Sequence, residues 1–167
     1  MPRFLLFETG VHYFDTLQFL FGMIERVYCC KRTINPLIQG EDYVIVVIVF
    51  ASGLCGIYDA NRVSFVPKVR SNSYGWMRIE GALGNLRLDL DGRLFITPRG
   101  GVEYEHNYSI PSSWKGGCAV AAQQHFVDAL RSGASFQTEG QDYLRTQEIV
   151  DAAYRSASEG VAIRITS

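Results

Sequence analysis

From Val11 to Phe21 the apolar positions fall at Tyr13, Phe14, Leu17, Leu20 and Phe21. That spacing predicts an amphipathic helix with one buried stripe, stopped by Gly22. A short apolar run, Arg3-Phe-Leu-Leu-Phe7, leads into it through Glu8-Thr9-Gly10. Beyond the helix the period changes to two. Val27 to Cys30 predicts a strand, and the β-branched run Val44 to Ala51 predicts a central strand covered on both faces or nearly so. Ser52-Gly53 turns the chain into a third strand, Leu54 to Asp59. The stretch Asn61 to Tyr74, punctuated by Pro67 and by Ser and Asn, predicts a loop beside the sheet.

Trp76 to Glu80 alternates, Gly81 to Gly84 turns, and Leu86, Leu88 and Leu90 alternate with Arg87, Asp89 and Asp91. Asp91-Gly92 is a hairpin signal leading to a strand over Leu94 to Thr97. Val102, Tyr104, His106 and Tyr108 then share one face of another strand. Helical spacing returns over Ala119 to Leu130, with Val120, Gln123, Val127 and Leu130 as the inward stripe. A longer helix spans Tyr143 to Ser158, with Val150, Ala153 and Ala157 inward and Gly160 as its cap. Val161, Ile163 and Ile165 alternate as a last strand. The order predicts an α+β fold: a mostly antiparallel, open-faced sheet with helices packed on one face, in a single domain over residues 1–167.

Composition narrows the class. The 167 residues are 47% hydrophobic and 20% charged, with a formal net charge of -1, enough chain to bury a core. This near-neutral balance offers no footprint for nucleic acid or an anionic membrane, and no apolar run is long enough to span a bilayer. No basic region precedes an apolar stretch at the N-terminus. Cys29, Cys30, Cys55 and Cys118 lack C-x-x-C spacing, so a reducing, cytoplasmic setting is expected rather than a disulfide scaffold or zinc site. The sequence also has no G-x-G-x-x-G, no G-x-x-x-x-G-K-[ST], no G-x-S-x-G and no H-E-x-x-H. Cofactor chemistry would need residues supplied from elsewhere.

Candidate chemistry gathers at the start of the chain. Glu8, His12 and Asp15 are spaced i, i+4 and i+7, so they share a face if the helix reaches back to Glu8. A carboxylate beside an imidazole can fix its tautomer and raise its basicity, the minimal equipment of an acid–base dyad. A helix-capping carboxylate next to a surface histidine fits the same spacing.

The wording of this segment, Glu8-Thr-Gly-Val-His12-Tyr-Phe-Asp15 running to Gly22, resembles the start of the C-terminal domain of the glucose–fructose oxidoreductase / inositol dehydrogenase (Gfo/Idh/MocA) family. Similar phrases follow in the family's order: Tyr58-Asp-Ala-Asn-Arg62, then Glu80-Gly-Ala-Leu-Gly-Asn-Leu-Arg-Leu-Asp89, His125-Phe-Val-Asp-Ala-Leu-Arg-Ser-Gly133 and Ala152-Ala-Tyr-Arg-Ser-Ala-Ser-Glu-Gly160. The resemblance implies a substrate-binding and oligomerisation domain that works with a Rossmann domain holding NAD or NADP. It implies that His12 accepts the proton of a sugar or polyol hydroxyl and that Glu8 orients it or holds a hydroxyl, helped by a lysine of the Rossmann domain. Glu8 departs from the commoner aspartate. No Rossmann domain is contained in this chain, which on this reading binds no dinucleotide alone and needs that domain in cis or in trans. The open sheet face is expected to make a homo-oligomer.

Further substrate-binding candidates are Asp15; Asn61 and Arg62 beside a strand end, where a solvated turn is the plain alternative; and His125, beside Gln123 and Gln124 and off the apolar stripe. His106, between two tyrosines on one strand face, suits a subunit interface. Three scattered histidines give no metal site. The leading expectation is the substrate half of an NAD(P)-dependent oxidoreductase acting on a sugar, polyol or related carbonyl compound. The alternative is a non-catalytic, self-associating scaffold or small-ligand-binding module.

Overall fold

A computed structural model describes residues 3–65, 75–109 and 117–165. Pro67 and most of the expected 61–74 loop lie outside the described residues. The chain forms two compact units, one made of Met1–Phe65 with Gln137–Ser167 and the other of Val66–Phe136.

In the first unit, the predicted helix is α1, Val11–Phe21, and it ends at Gly22 with φ of 84°, a conformation that favours glycine. Strands β1 (Ile24–Arg32), β2 (Tyr43–Phe50) and β3 (Cys55–Asn61) follow. In the second unit come β4 (Met77–Gly81), β5 (Gly84–Leu88), β6 (Leu94–Pro98), β7 (Tyr104–His106) and helix α2 (Cys118–Ser132). Helix α3 (Gly140–Glu159) and the short β8 (Ile163–Arg164) return to the first unit. The architecture is α+β with antiparallel pairing throughout, as the pattern predicted. The described strands form two four-stranded sheets rather than one, in the orders β3-β2-β1-β8 and β4-β5-β6-β7.

The core of the first unit explains its layering. Val27 and Cys29 of β1, Val44, Val46, Ile48 and Phe50 of β2, and Tyr58 of β3 point to one face. Helix α3 covers that face with Ile149, Val150 and Ala153, and Phe14 of α1 fills the gap beside it. Burying a side chain the size of Phe14 is worth about 1.5–3 kcal/mol. The opposite face of β2 is not covered within this unit: Val47 is 38% exposed and stands between Tyr28 and Ile57, which are exposed too. A β-branched run therefore signalled strand correctly and two-sided burial incorrectly. The run is one-sided because helices lie on one face only.

Two buried carboxylates hold backbone segments, one of them the N-terminal stretch. Glu41, 1% exposed, accepts the backbone N–H of Leu6 at 2.9 Å and that of Phe4 at 3.2 Å, and the Tyr154 hydroxyl donates to it at 2.5 Å. Beside it, a side chain on Gly40 would overlap Phe4. Asp42 is fully buried and accepts the N–H groups of Ile34 at 2.6 Å and Asn35 at 2.8 Å. The bond from the Ile34 amide, foremost, holds its carboxyl below the usual carboxylate range.

In the second unit the register aligns Met77, Leu88, Leu94 and His106 across one row and Ile79, Leu86, Ile96 and Tyr104 across the next. On the other side Phe95 lies beneath the guanidinium groups of Arg87 (4.0 Å) and Arg93 (4.8 Å). These arginines pair with Glu103 and Glu105 at 2.7 and 2.6 Å. The Asp91-Gly92 turn forms as expected, with the Gly92 amide bonded to the Asp89 carbonyl. Helix α2 departs from its pattern: Val120, Val127 and Leu130 are exposed and only Ala129 is buried. Apolar spacing marked the helix, but the described residues supply no cover for the stripe. Among the described residues, no helix is long and apolar enough to cross a membrane.

Candidate functional site

Before α1 the chain makes a π-turn, Leu6–Gly10, which the sequence pattern did not show. A π-turn bonds i to i+5 and recurs at functional sites. Its wider step also means that counting i, i+4, i+7 from Glu8 does not set one common helical face. Leu5 and Leu6 are buried while Glu8 is exposed, so the turn is anchored below and presents its carboxylate outward.

There Glu8 meets Arg62. The Arg62 Nη2 donates to Glu8 Oε2 at 3.0 Å and to Thr9 Oγ1 at 2.8 Å, and the Thr9 hydroxyl donates to the same Glu8 oxygen. The Arg62 backbone is pinned by its N–H to the Asp42 carbonyl at 2.8 Å. Both charged side chains are about half exposed (46% and 60%), so the pair adds at most ~1 kcal/mol of stability. Its interest is positional: a carboxylate, a hydroxyl and a guanidinium share one patch.

His12 is exposed in the first turn of α1, and among the described residues no hydrogen bond joins it to Glu8. The partners of Glu8 are Arg62 and Thr9. Asp15 is exposed, with the buried Thr146 hydroxyl 3.4 Å from its Oδ1. Asn61 ends β3, and its Oδ1 accepts the N–H groups of Val63 (3.2 Å) and Ser64 (2.7 Å), so its side chain shapes the turn that aims Arg62. His125 is half-buried on α2, in the other unit. His106 stacks on Tyr108 with ring centroids 6.2 Å apart, beside a pocket of about 120 Å³ lined also by Arg93 and Glu105. Among the described residues no group of His, Cys, Asp or Glu is placed to hold a metal ion.

Two neighbours of this patch escaped the sequence reading. Thr9 carried no signal beyond its place in the motif. Tyr58 carried a faint one: the inward positions of β3 are Gly56, Tyr58 and Ala60, a phenol between two small residues. Its ring packs on Tyr13 (5.1 Å) and Phe14 (5.5 Å) of α1. Burial pushes its hydroxyl well above the usual tyrosine range, with Tyr13 and Glu8 adding to the rise and Arg62 opposing it.

Comparison with known proteins accounts for this layout. Residues 5–165 match the family described as the oxidoreductase family (Gfo/Idh/MocA), C-terminal alpha/beta domain. A D-apiose dehydrogenase of Paraburkholderia graminis is 31% identical over 99% of this chain and 46% of its own. That of Rhizobium rhizogenes is 30% identical over 98% of this chain and 49% of its own. The chain thus spans about half the length of these curated relatives. Among solved structures, an oxidoreductase from Agrobacterium radiobacter in complex with NAD+, L-tartaric acid and magnesium superposes with a TM-score of 0.87. It is 27% identical, over 99% of this chain and 50% of that one. With a family match spanning nearly every residue, this chain belongs to the Gfo/Idh/MocA oxidoreductases, as their C-terminal alpha/beta domain.

Proposed function

We propose that this chain is the substrate-binding and self-associating domain of an NAD(P)-dependent dehydrogenase acting on a sugar, a polyol or a related carbonyl compound. The observation that carries the reading is the patch at the start of α1: an exposed histidine lies just past a turn whose carboxylate and hydroxyl meet the Arg62 guanidinium. Such a set recognises adjacent hydroxyls, because the carboxylate accepts from them while the guanidinium donates. Two relatives named D-apiose dehydrogenase support a sugar as the substrate class.

In this reading His12 accepts the hydroxyl proton as the carbon it sits on loses its hydride. Glu8 and Arg62 hold a neighbouring hydroxyl, and Asp15 lies one turn further along the same helix. Asn61 sets the Arg62 turn. The nicotinamide, when bound, supplies the hydride acceptor. A dinucleotide's phosphates call for a glycine-rich turn opening onto a helix, and this sequence has none. The dinucleotide is therefore assigned to a Rossmann domain in cis or in trans. The uncovered sheet face around Tyr28, Val47 and Ile57 supports a homo-oligomer, and four free thiols, Cys29, Cys30, Cys55 and Cys118, suit the cytoplasm.

The test is His12→Asn in the full-length protein. Removing the proton acceptor lowers kcat about 10²–10⁴-fold and leaves KM within a few fold. Turnover close to wild type would take His12 out of the mechanism.

A further inference from the structure

The Tyr58 hydroxyl is shut off from solvent, and among the described residues nothing donates to it or accepts from it. The whole residue is only 6% exposed. An unpaired buried phenol is uncommon, because a polar group taken out of water without a partner destabilises the fold. A phenylalanine there would fill the same space without that cost. The ring already has apolar company in Phe14 and in the face of Tyr13, so packing explains the ring and leaves the oxygen unexplained.

Its position suggests what the oxygen is for. Tyr58 lies under the first turn of α1, against Tyr13, the residue after His12. The charged groups that act on its hydroxyl are Arg62 and Glu8, the exposed pair described above. These two side chains are its solvent-facing neighbours: a 3.0 Å ion pair, about half in water, joins them, so a ligand can compete for either partner.

We propose that the Tyr58 hydroxyl is a ligand-contacting group of this site, which hydrogen-bonds a hydroxyl of a bound sugar or polyol once the ligand has taken over the Glu8–Arg62 pair. This inference rests on the sugar-binding reading above. A phenol that stays protonated serves the role well, since it both donates and accepts and so tolerates either orientation of a ligand hydroxyl. It would also discriminate: a buried polar group left unmatched penalises an analogue lacking the hydroxyl.

The experiment is a titration of this chain with D-apiose, and in parallel with L-tartrate, followed by NMR of the tyrosine rings, on wild type and on Tyr58→Phe. The expected result has three parts. The wild-type Tyr58 resonance shifts on addition of at least one of the two probes; the same probe binds Tyr58→Phe about five- to tenfold more weakly; and the variant's Tm is equal to or above wild type. The last part separates this role from a structural one, in which loss of the hydroxyl lowers Tm and leaves affinity alone. Equal affinity in the two proteins overturns the inference and spares the sugar-binding reading. Failure of the wild type to bind either probe overturns both.

Discussion

Glu41 turns two backbone amides and a tyrosine hydroxyl inward onto one carboxylate, and through Phe4 and Leu6 it anchors the turn that presents Glu8. Glu41→Ala strands those donors in the core, so unfolding by urea should show a loss of about 2–4 kcal/mol. A loss under 1 kcal/mol would mean the segment is held by Leu5 and Leu6 alone. Asp42 offers a pH test. Its carboxyl is depressed in the folded state by the Ile34 amide. Its contribution is therefore present above the unfolded value of about 3.9 and disappears as pH falls through the lower folded value. Asp42→Asn should be less stable than wild type at neutral pH, with the difference narrowing below pH ~4; a constant difference would contradict this. Gly40-Glu41-Asp42 reads in the sequence as an ordinary polar turn. Glu41 meets the Tyr154 hydroxyl, which is remote along the chain, and no local pattern announces that. His12 and Glu8 are proposed from their residue types and the phrase they sit in, whereas the partnership of Glu8 with Arg62 spans 54 positions and no local pattern announces it.

Among the elements, α1 and the Asp91-Gly92 hairpin follow from local signals, a helical stripe stopped by glycine and a turn dipeptide. The π-turn before α1 has no such signal; Glu41, remote in sequence, accepts the Leu6 amide at its start. Helix α2 shows the limit from the other side: spacing foretold a helix, but burial of Val120, Val127 and Leu130 needs a partner surface that spacing does not supply. The β1–β2–β3 sheet has alternating faces, and this carries a thiol prediction. Cys29 points into the core, where burial, foremost, pushes its thiol up to about 12; Cys30 and Cys55 point out. Iodoacetamide at pH 8 should label Cys30, Cys55 and Cys118 in the native protein and spare Cys29 until it unfolds. If the outer face is the self-association surface, Cys30 and Cys55 should slow at high protein concentration while Cys118 does not. Fast native labelling of Cys29 would contradict the packing.

For the whole molecule, the apolar face carrying Tyr28, Val47 and Ile57 leads to a further expectation. Val47→Lys should move the sedimentation equilibrium mass from an oligomer toward one chain, since a charge at the centre of a buried face is left unpaired. A wild-type protein that is monomeric at micromolar concentration would remove that face from consideration. The chain belongs to the Gfo/Idh/MocA family, and the proposal of a sugar dehydrogenase rests on the patch at the head of α1. The direct measurement is reduction of NAD or NADP, followed at 340 nm, by the protein at the length its source makes, with D-apiose as substrate. Reduced cofactor should accumulate only with sugar present, at a rate lowered about 10²–10⁴-fold by His12→Asn. No reduction with D-apiose or with a panel of pentoses, hexoses and polyols, under conditions where the dinucleotide is bound, would contradict it.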